Sequence, residues 1–250
     1  MKYLEKMSEL SCFTREDIVA VTQNPNTASF IINSYLKKGY IERVKHNLYA
    51  TISLETLQPI SSKFHIGCSI FDDCCLTHHS AFEYYGYANQ VFSEIYVASE
   101  SRFKDFEYNG VTYHRIEGSV IRDTVRIGKI TVSTTEQAVV DSIADYEKIA
   151  GIEETLRCIE MIPSLDEEKL LSVLSKKNVG FVWQKCGFIL EHYADTLNMS
   201  DSFFKECEKH IVSGKKKLIR GSQNNIYSKK WNLYVPESLS EITGKGVDEL

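Results

Sequence analysis

The feature that most constrains this chain lies in its first 51 residues, where helix-paced apolar stripes are cut by short stop signals. The strongest stripe is Ala28, Ile31, Ile32, Tyr35 and Leu36. Three-and-four spacing places these side chains on one helix face, which must be covered by something else. The stripe runs into Lys37-Lys38-Gly39, and Gly39 is the natural residue just past a helix end because it adopts left-handed backbone without strain. Two short runs, 40–44 and 48–50, then flank the polar turn Lys45-His46-Asn47 and predict a hairpin. Asn47 takes the tip, where positive φ is needed and Asn tolerates it best after Gly.

Upstream, residues 3–10 predict a short helix with Leu4, Met7 and Leu10 on one side. Thr14 suits the cap of a second helix, whose Glu16 and Asp17 complement the positive end of its dipole. Asn24-Pro25-Asn26 is a turn signal, after which Asn26 or Thr27 caps the third helix. Three helices and a hairpin in this order are the plan of a winged helix-turn-helix, assigned to residues 1–54.

Past Pro59 the pattern changes. A helix is predicted from Thr77 to Gly86, then strands at 94–98, 110–116 and 124–132, rich in Val, Ile, Thr and Tyr. Thr134-Thr135-Glu136-Gln137 fits a capping box before a helix through Asp145. Amphipathic helices follow around Leu156, Leu170, Cys186 and Phe204, and strand-like runs return at 217–219 and 231–235. The fold class read from this is α+β: an N-terminal winged helix-turn-helix, then a larger α+β domain over 60–250 with a small sheet and a helical block.

Charge decides what the small domain can do. The net charge of −5 argues against coating nucleic acid along the whole surface. Residues 1–52 nevertheless carry seven Lys/Arg against five Asp/Glu, whereas the rest carries 22 against 29. Any DNA contact is therefore local. In a helix-turn-helix the outward residues of the third helix meet base edges. Here they are Asn26, Thr27, Ser29, Phe30, Asn33 and Ser34, types suited to adenine, to phosphates and, for Phe, to a thymine methyl. Lys37, Lys38, Arg43, Lys45 and His46 follow at the helix end and wing, placed for phosphates. A second basic run, Lys215, Lys216, Lys217, Arg220, Lys229 and Lys230, has no acidic residue among positions 213–231 and reads equally as a polyanion site or as solvated loop charge.

Other chemistry finds little support. The seven cysteines form no C-x-x-C and fit buried, reduced thiols. His78 and His79 are adjacent, so a helix turns them about 100° apart and no metal ligand set is assigned. Asp141 among apolar residues, with Glu136, is the one acidic pair of catalytic type, and pairing or capping is its commoner use. No phosphate loop, nucleophile elbow or zinc-protease motif is present. The expectation is a non-enzymatic protein without cofactor. A charged start and the lack of any membrane-length apolar stretch read as cytoplasmic, with no membrane partner.

Four segments carry a family resemblance: YLKKGYIERVKHNLYA (35–50), CCLTHHSAFEYYGY (74–87), IYVASESRFKDFEYNGVTYHRI (95–116) and VSTTEQAVVDSIAD (132–145). In this order they resemble the AbiEi-family antitoxins, over roughly residues 1–160. Phe82 stands where that family usually has Leu, Asn47 where it commonly has Gly, and Thr77 where it often has Ser. The resemblance implies the antitoxin half of a type IV toxin–antitoxin system used in abortive infection, a phage defence. It implies a transcriptional repressor of its own operon, acting through the winged helix; because one small winged helix makes few base contacts, two copies on inverted or direct operator repeats are expected. It implies a second domain that counters a nucleotidyltransferase-like toxin, and it supports Thr27, Ser29, Asn33, Arg43 and Lys45 as DNA-facing. The alternatives are a ligand-responsive winged-helix regulator unrelated to a toxin and, behind it, a metal-dependent nuclease using Asp141 and Glu136.

Overall fold

A computed structural model describes residues 3–117, 123–221, 225–237, 239 and 242–243. The protein is mixed α+β, with eleven helices and three sheets among the described residues. None of these helices is long and apolar enough to cross a membrane. The chain forms two compact units, each assembled from separated segments: 1–76, 92–118 and 126–132 in the first, and 77–91, 119–125 and 133–250 in the second. The boundary expected between 54 and 60 therefore falls inside the first unit. The cause is local pairing: Ile52 bridges Pro59, and the Ile60 amide donates to the Thr51 carbonyl at 2.9 Å.

The first unit opens with α1 (Leu4–Leu10), β1 (Cys12–Phe13), α2 (Arg15–Thr22), α3 (Pro25–Lys37), β2 (Ile41–Lys45) and β3 (Leu48–Thr51). Thr14 and Asp17 form a reciprocal capping box at the start of α2. Helix α3 begins slightly earlier than expected. Asn24, not Asn26 or Thr27, is its cap, accepting from the amides of Asn26 and Thr27 at 2.9 and 3.0 Å, and Pro25 fills the first position, where no donor is needed. Gly39 and Asn47 take φ of 69° and 60°, as their turns demand. Strand β3 lies between β1 and β2. Met7, Phe13, Ile18, Ala28, Ile31, Ile32, Ile41 and Tyr49 make the core beneath.

This unit continues through α4 (Lys63–Cys68), β4 (Cys75–Leu76), β5 (Glu94–Ser99), β6 (Phe106–Tyr108) and β7 (Val111–Glu117), and takes in residues 126–127 of β8 (Thr124–Ile127) and 130–132 of β9 (Ile130–Ser133). The strands form a mixed sheet in the order β6-β7-β5-β4-β9-β8. The single strand expected over 124–132 is two, split where Gly128 turns at φ 61°. Strand β6 was not expected. It reaches β7 through Asn109-Gly110, both at positive φ, the two-residue turn whose twist matches a hairpin.

The second unit holds α5 (His79–Tyr85), α6 (Thr135–Asp145), α7 (Gly151–Glu160), α8 (Glu167–Lys177), α9 (Gly180–His192), α10 (Ala194–Leu197) and α11 (Asp201–Glu208). A small sheet of β10 (Lys216–Lys217), β11 (Asn225–Ser228) and β12 (Leu233–Pro236) closes it, β12 in the centre. Thr77 does not cap α5. His78 precedes that helix at φ 51°, ψ −135°, without a side-chain cap, and Thr77 Oγ1 lies 3.1 Å from His78 Nδ1. At α6 Thr134 accepts from the Gln137 amide, but Gln137 turns its own side chain to Asp141 instead of completing a box.

Candidate nucleic-acid interface

Helix α3 buries one face and bares the other. At about 100° per residue, Ala28, Ile31, Ile32, Tyr35 and Leu36 point inward, and Asn26, Phe30, Asn33 and Lys37 fall in an opposite arc of about 60°. All four of the latter are exposed, and Phe30 is 74% exposed in the middle of the row. A single exposed aromatic ring is ordinary on a surface, but this one is flanked on the same arc by two amides and a lysine. Thr27 and Ser34 flank this ridge, half-buried.

Ser29 has a different role. Its hydroxyl accepts from Arg15 Nε at 3.1 Å and donates to the Pro25 carbonyl at 3.0 Å, and Arg15 Nη2 also reaches Pro25 O. Arg15, which was not singled out from sequence, thus ties the start of α2 to the start of α3. Asn47 makes the matching bond from the hairpin turn, donating to Glu16 Oε2 at 2.6 Å and accepting from the Arg15 amide. That bond to Asn47 holds the Glu16 carboxyl below its usual range.

The basic residues separate in the same way. Lys37, Lys38, Arg43 and His46 are exposed. Lys38 Nζ lies 6.0 Å from the Tyr40 ring, and Arg43 rests its guanidinium 5.8 Å from Tyr49, its cross-strand partner. Lys45 turns away: its ammonium sits 5.4, 4.7 and 5.0 Å from the rings of Phe71, Phe103 and Phe106. Burial lowers its pKa. This aromatic cage was invisible in sequence, since its walls come from residues 26 and about 60 positions away. Beside it opens a cleft of about 1060 Å³ that also involves Arg102, Lys104, Arg126 and Lys129.

All six side chains of the second basic run are exposed, and most have a partner within their own unit. Lys215 and Lys216 stack on Tyr227 and Phe181 at 4.6 and 4.5 Å, and Arg220 pairs with Glu147 at 3.2 Å. Lys230 pairs with both Glu191 and Glu208. Of the six, Lys229 alone meets no partner among the described residues, and Lys217 is exposed but engaged.

The acidic pair is engaged as well. Asp141, 2% exposed, meets Lys177 at 2.8 Å and accepts from Gln137 at 2.9 Å, while Glu136 accepts from the Asp166 amide. His78 and His79 diverge as expected, toward Asp145 at 3.6 Å and Glu154 at 3.0 Å respectively. All seven cysteines are free thiols, buried except the half-buried Cys68. No protein-family model matches this chain, and a comparison with curated proteins finds no match.

Proposed function

We propose that this chain is a DNA-binding autorepressor and the antitoxin of a type IV toxin–antitoxin pair, its residues 1–54 acting as a winged helix. The observation that carries the DNA part is the exposed row Asn26, Phe30, Asn33 and Lys37 on α3, opposite the buried face of the same helix. Its chemistry is that of a major-groove reader: two amides able to bond adenine in bidentate fashion, an apolar ring for a thymine methyl and a lysine for phosphate. Arg43 and His46 on the hairpin extend the contact to the backbone. One such module buries little surface, so specific repression takes two copies on a repeated operator. The antitoxin part rests on the ordered resemblance of residues 35–50, 74–87, 95–116 and 132–145 to AbiEi-family antitoxins, with a nucleotidyltransferase-like toxin as the functional partner.

The test uses the full chain and a duplex from upstream of its own gene. Phe30→Ala with Asn33→Ala lowers specific affinity by roughly 30-fold or more, at about 1–3 kcal/mol per base contact, while co-expression still rescues cells from the cognate toxin. Unchanged affinity sinks the DNA reading; failure of the wild-type chain to rescue sinks the antitoxin reading. A second reading, a ligand-responsive regulator, is favoured by the 1060 Å³ cleft beside the hairpin. It predicts a gene without a nucleotidyltransferase neighbour and DNA affinity that changes with a small molecule.

A further inference from the structure

Helix α5 delivers His79 and helix α7 delivers Glu154 and Cys158, one turn apart, to a common point inside the second unit. The side chains are 2%, 5% and 0% exposed, and one donor atom from each lies within 4.8 Å of the others. His79 Nε2 is 3.0 Å and Cys158 Sγ 3.5 Å from Glu154 Oε1. Nitrogen and oxygen at about 2.0–2.1 Å and sulfur at about 2.3 Å from a tetrahedral ion stand roughly 3.3–3.7 Å from one another. Two edges of the cluster, 3.0 and 3.5 Å, lie near those of one face of that tetrahedron, and the third is within 4.8 Å.

Two further observations point to a ligand. Glu154 Oε1 takes the bonds from His79, from Cys158 and from the Gln90 amide at 3.2 Å, yet Glu154 Oε2 is buried with no hydrogen-bond partner. A buried carboxylate oxygen left so is costly unless a cation meets it. Ser142 Oγ, equally buried and unbonded, lines a small void with His79 and Cys158.

We propose that His79, Glu154 and Cys158 form a structural binding site for a zinc-class divalent cation that joins α5 to α7. Charge favours this occupant. A dication with one thiolate, one carboxylate and one neutral imidazole sums to zero, the state that burial penalises least. Binding releases the thiol proton to solvent as the metal–sulfur bond forms. The mixed His, Cys and carboxylate set excludes magnesium and calcium, which take oxygen ligands. The backbone is strained on both sides, at His78 (φ 51°) and Ala150 (φ 63°), which fits a cluster held by more than apolar packing.

The test is Co²⁺ titration of the chelator-treated, reduced full chain, followed by Zn²⁺ displacement. One equivalent of Co²⁺ should give a near-ultraviolet charge-transfer band of a single Co–S bond, bleached by one equivalent of Zn²⁺. Cys158→Ser should abolish the band and His79→Gln should weaken Co²⁺ binding at least 100-fold, while Cys186→Ser should leave both unchanged. No band in the wild-type chain, or a band that survives in Cys158→Ser, overturns the proposal. Should Cys158→Ser fail to fold, His79→Gln decides: it retains a side-chain donor for Glu154, and undiminished Co²⁺ affinity there overturns the site equally.

Discussion

Replacing Lys45 with Met keeps the length of its stem and removes only the charge held by Phe71, Phe103 and Phe106. Its ammonium lies 4.7–5.4 Å from those three ring centroids. One cation–ring contact contributes about 0.5–1 kcal/mol when exposed and about 2 kcal/mol when desolvated. Three rings sharing one cation do not add, and the burial that lowers the Lys45 pKa offsets part of the gain. A net loss of about 1–2 kcal/mol follows for Lys45→Met, or roughly 2–6 °C in the melting transition that carries the first unit. Lys45→Arg keeps most of it. In the same proteins the salt dependence of DNA binding separates structure from contact. Each phosphate contact contributes a slope of about 0.9 in log affinity against log salt. Arg43→Ala loses about one such unit, and Lys45→Met loses none. A flattened slope with an unmoved melting temperature for Lys45→Met would show the lysine on phosphate and refute the cage.

Three other outcomes follow from the packing. A Cβ on Gly187 would lie 2.2 Å from the rigid ring of buried Trp231, so Gly187→Ala costs about 3 kcal/mol by overpacking; a urea-melt loss under about 0.5 kcal/mol would contradict that packing. Lys177→Met takes the lysine from the buried Asp141 carboxylate and costs about 3 kcal/mol, and adding Asp141→Asn restores most of it. A double variant no more stable than the single one speaks against the ion pair. Half-buried His65, between Ser11 and Ser61, is held by burial at a pKa of about 4. Between about 6.5 and 4 the unfolded chain therefore binds more protons, and stability falls as pH drops through that window. Partial exposure discounts the full shift to about 1–2 kcal/mol. His65→Gln should flatten this dependence, and an unaltered slope assigns it to another group.

What was legible in the sequence is what neighbours in sequence decide. The α2 cap at Thr14, the stop at Gly39 and the turn at Asn47 each depend on residues a few positions apart, and each stands where expected. The unit boundary was not legible. A change of composition at Pro59 marks a point along the chain, whereas the first unit is closed by strands from 94–117 and 126–132. Strand β6 is three residues long, too short for alternation to show, although Asn109-Gly110 signalled its turn. Thr77 looked like a cap because hydroxyls usually are; here the chain places His78 at positive φ and aims the two histidines at separate acids, half-buried Asp145 and buried Glu154. Glu154 and Cys158 are four apart on α7, a spacing visible in sequence, but their meeting with His79 is a tertiary fact.

The candidate interface gains a division of labour that composition alone does not contain. Counting charges treats Arg15, Arg43 and Lys45 alike, as positive groups near a DNA-sized helix. Arg15 spends its donors on Ser29 and Pro25, and Asn47 binds Glu16, so α2, the start of α3 and the hairpin turn are fastened together by side chains. Lys45 anchors the hairpin from its other side through the three phenylalanines. Those contacts leave Asn26, Phe30, Asn33 and Lys37 on one exposed ridge of α3, which in the proposed DNA-binding role is oriented before any partner arrives. A rigid reader spends little conformational entropy on binding. Loosening it should therefore weaken DNA binding without removing a single DNA contact. Arg15→Ala is the variant that separates the two: specific affinity falls while the salt slope stays near the wild-type value. A loss of slope in Arg15→Ala would move this arginine from the frame to the contact surface.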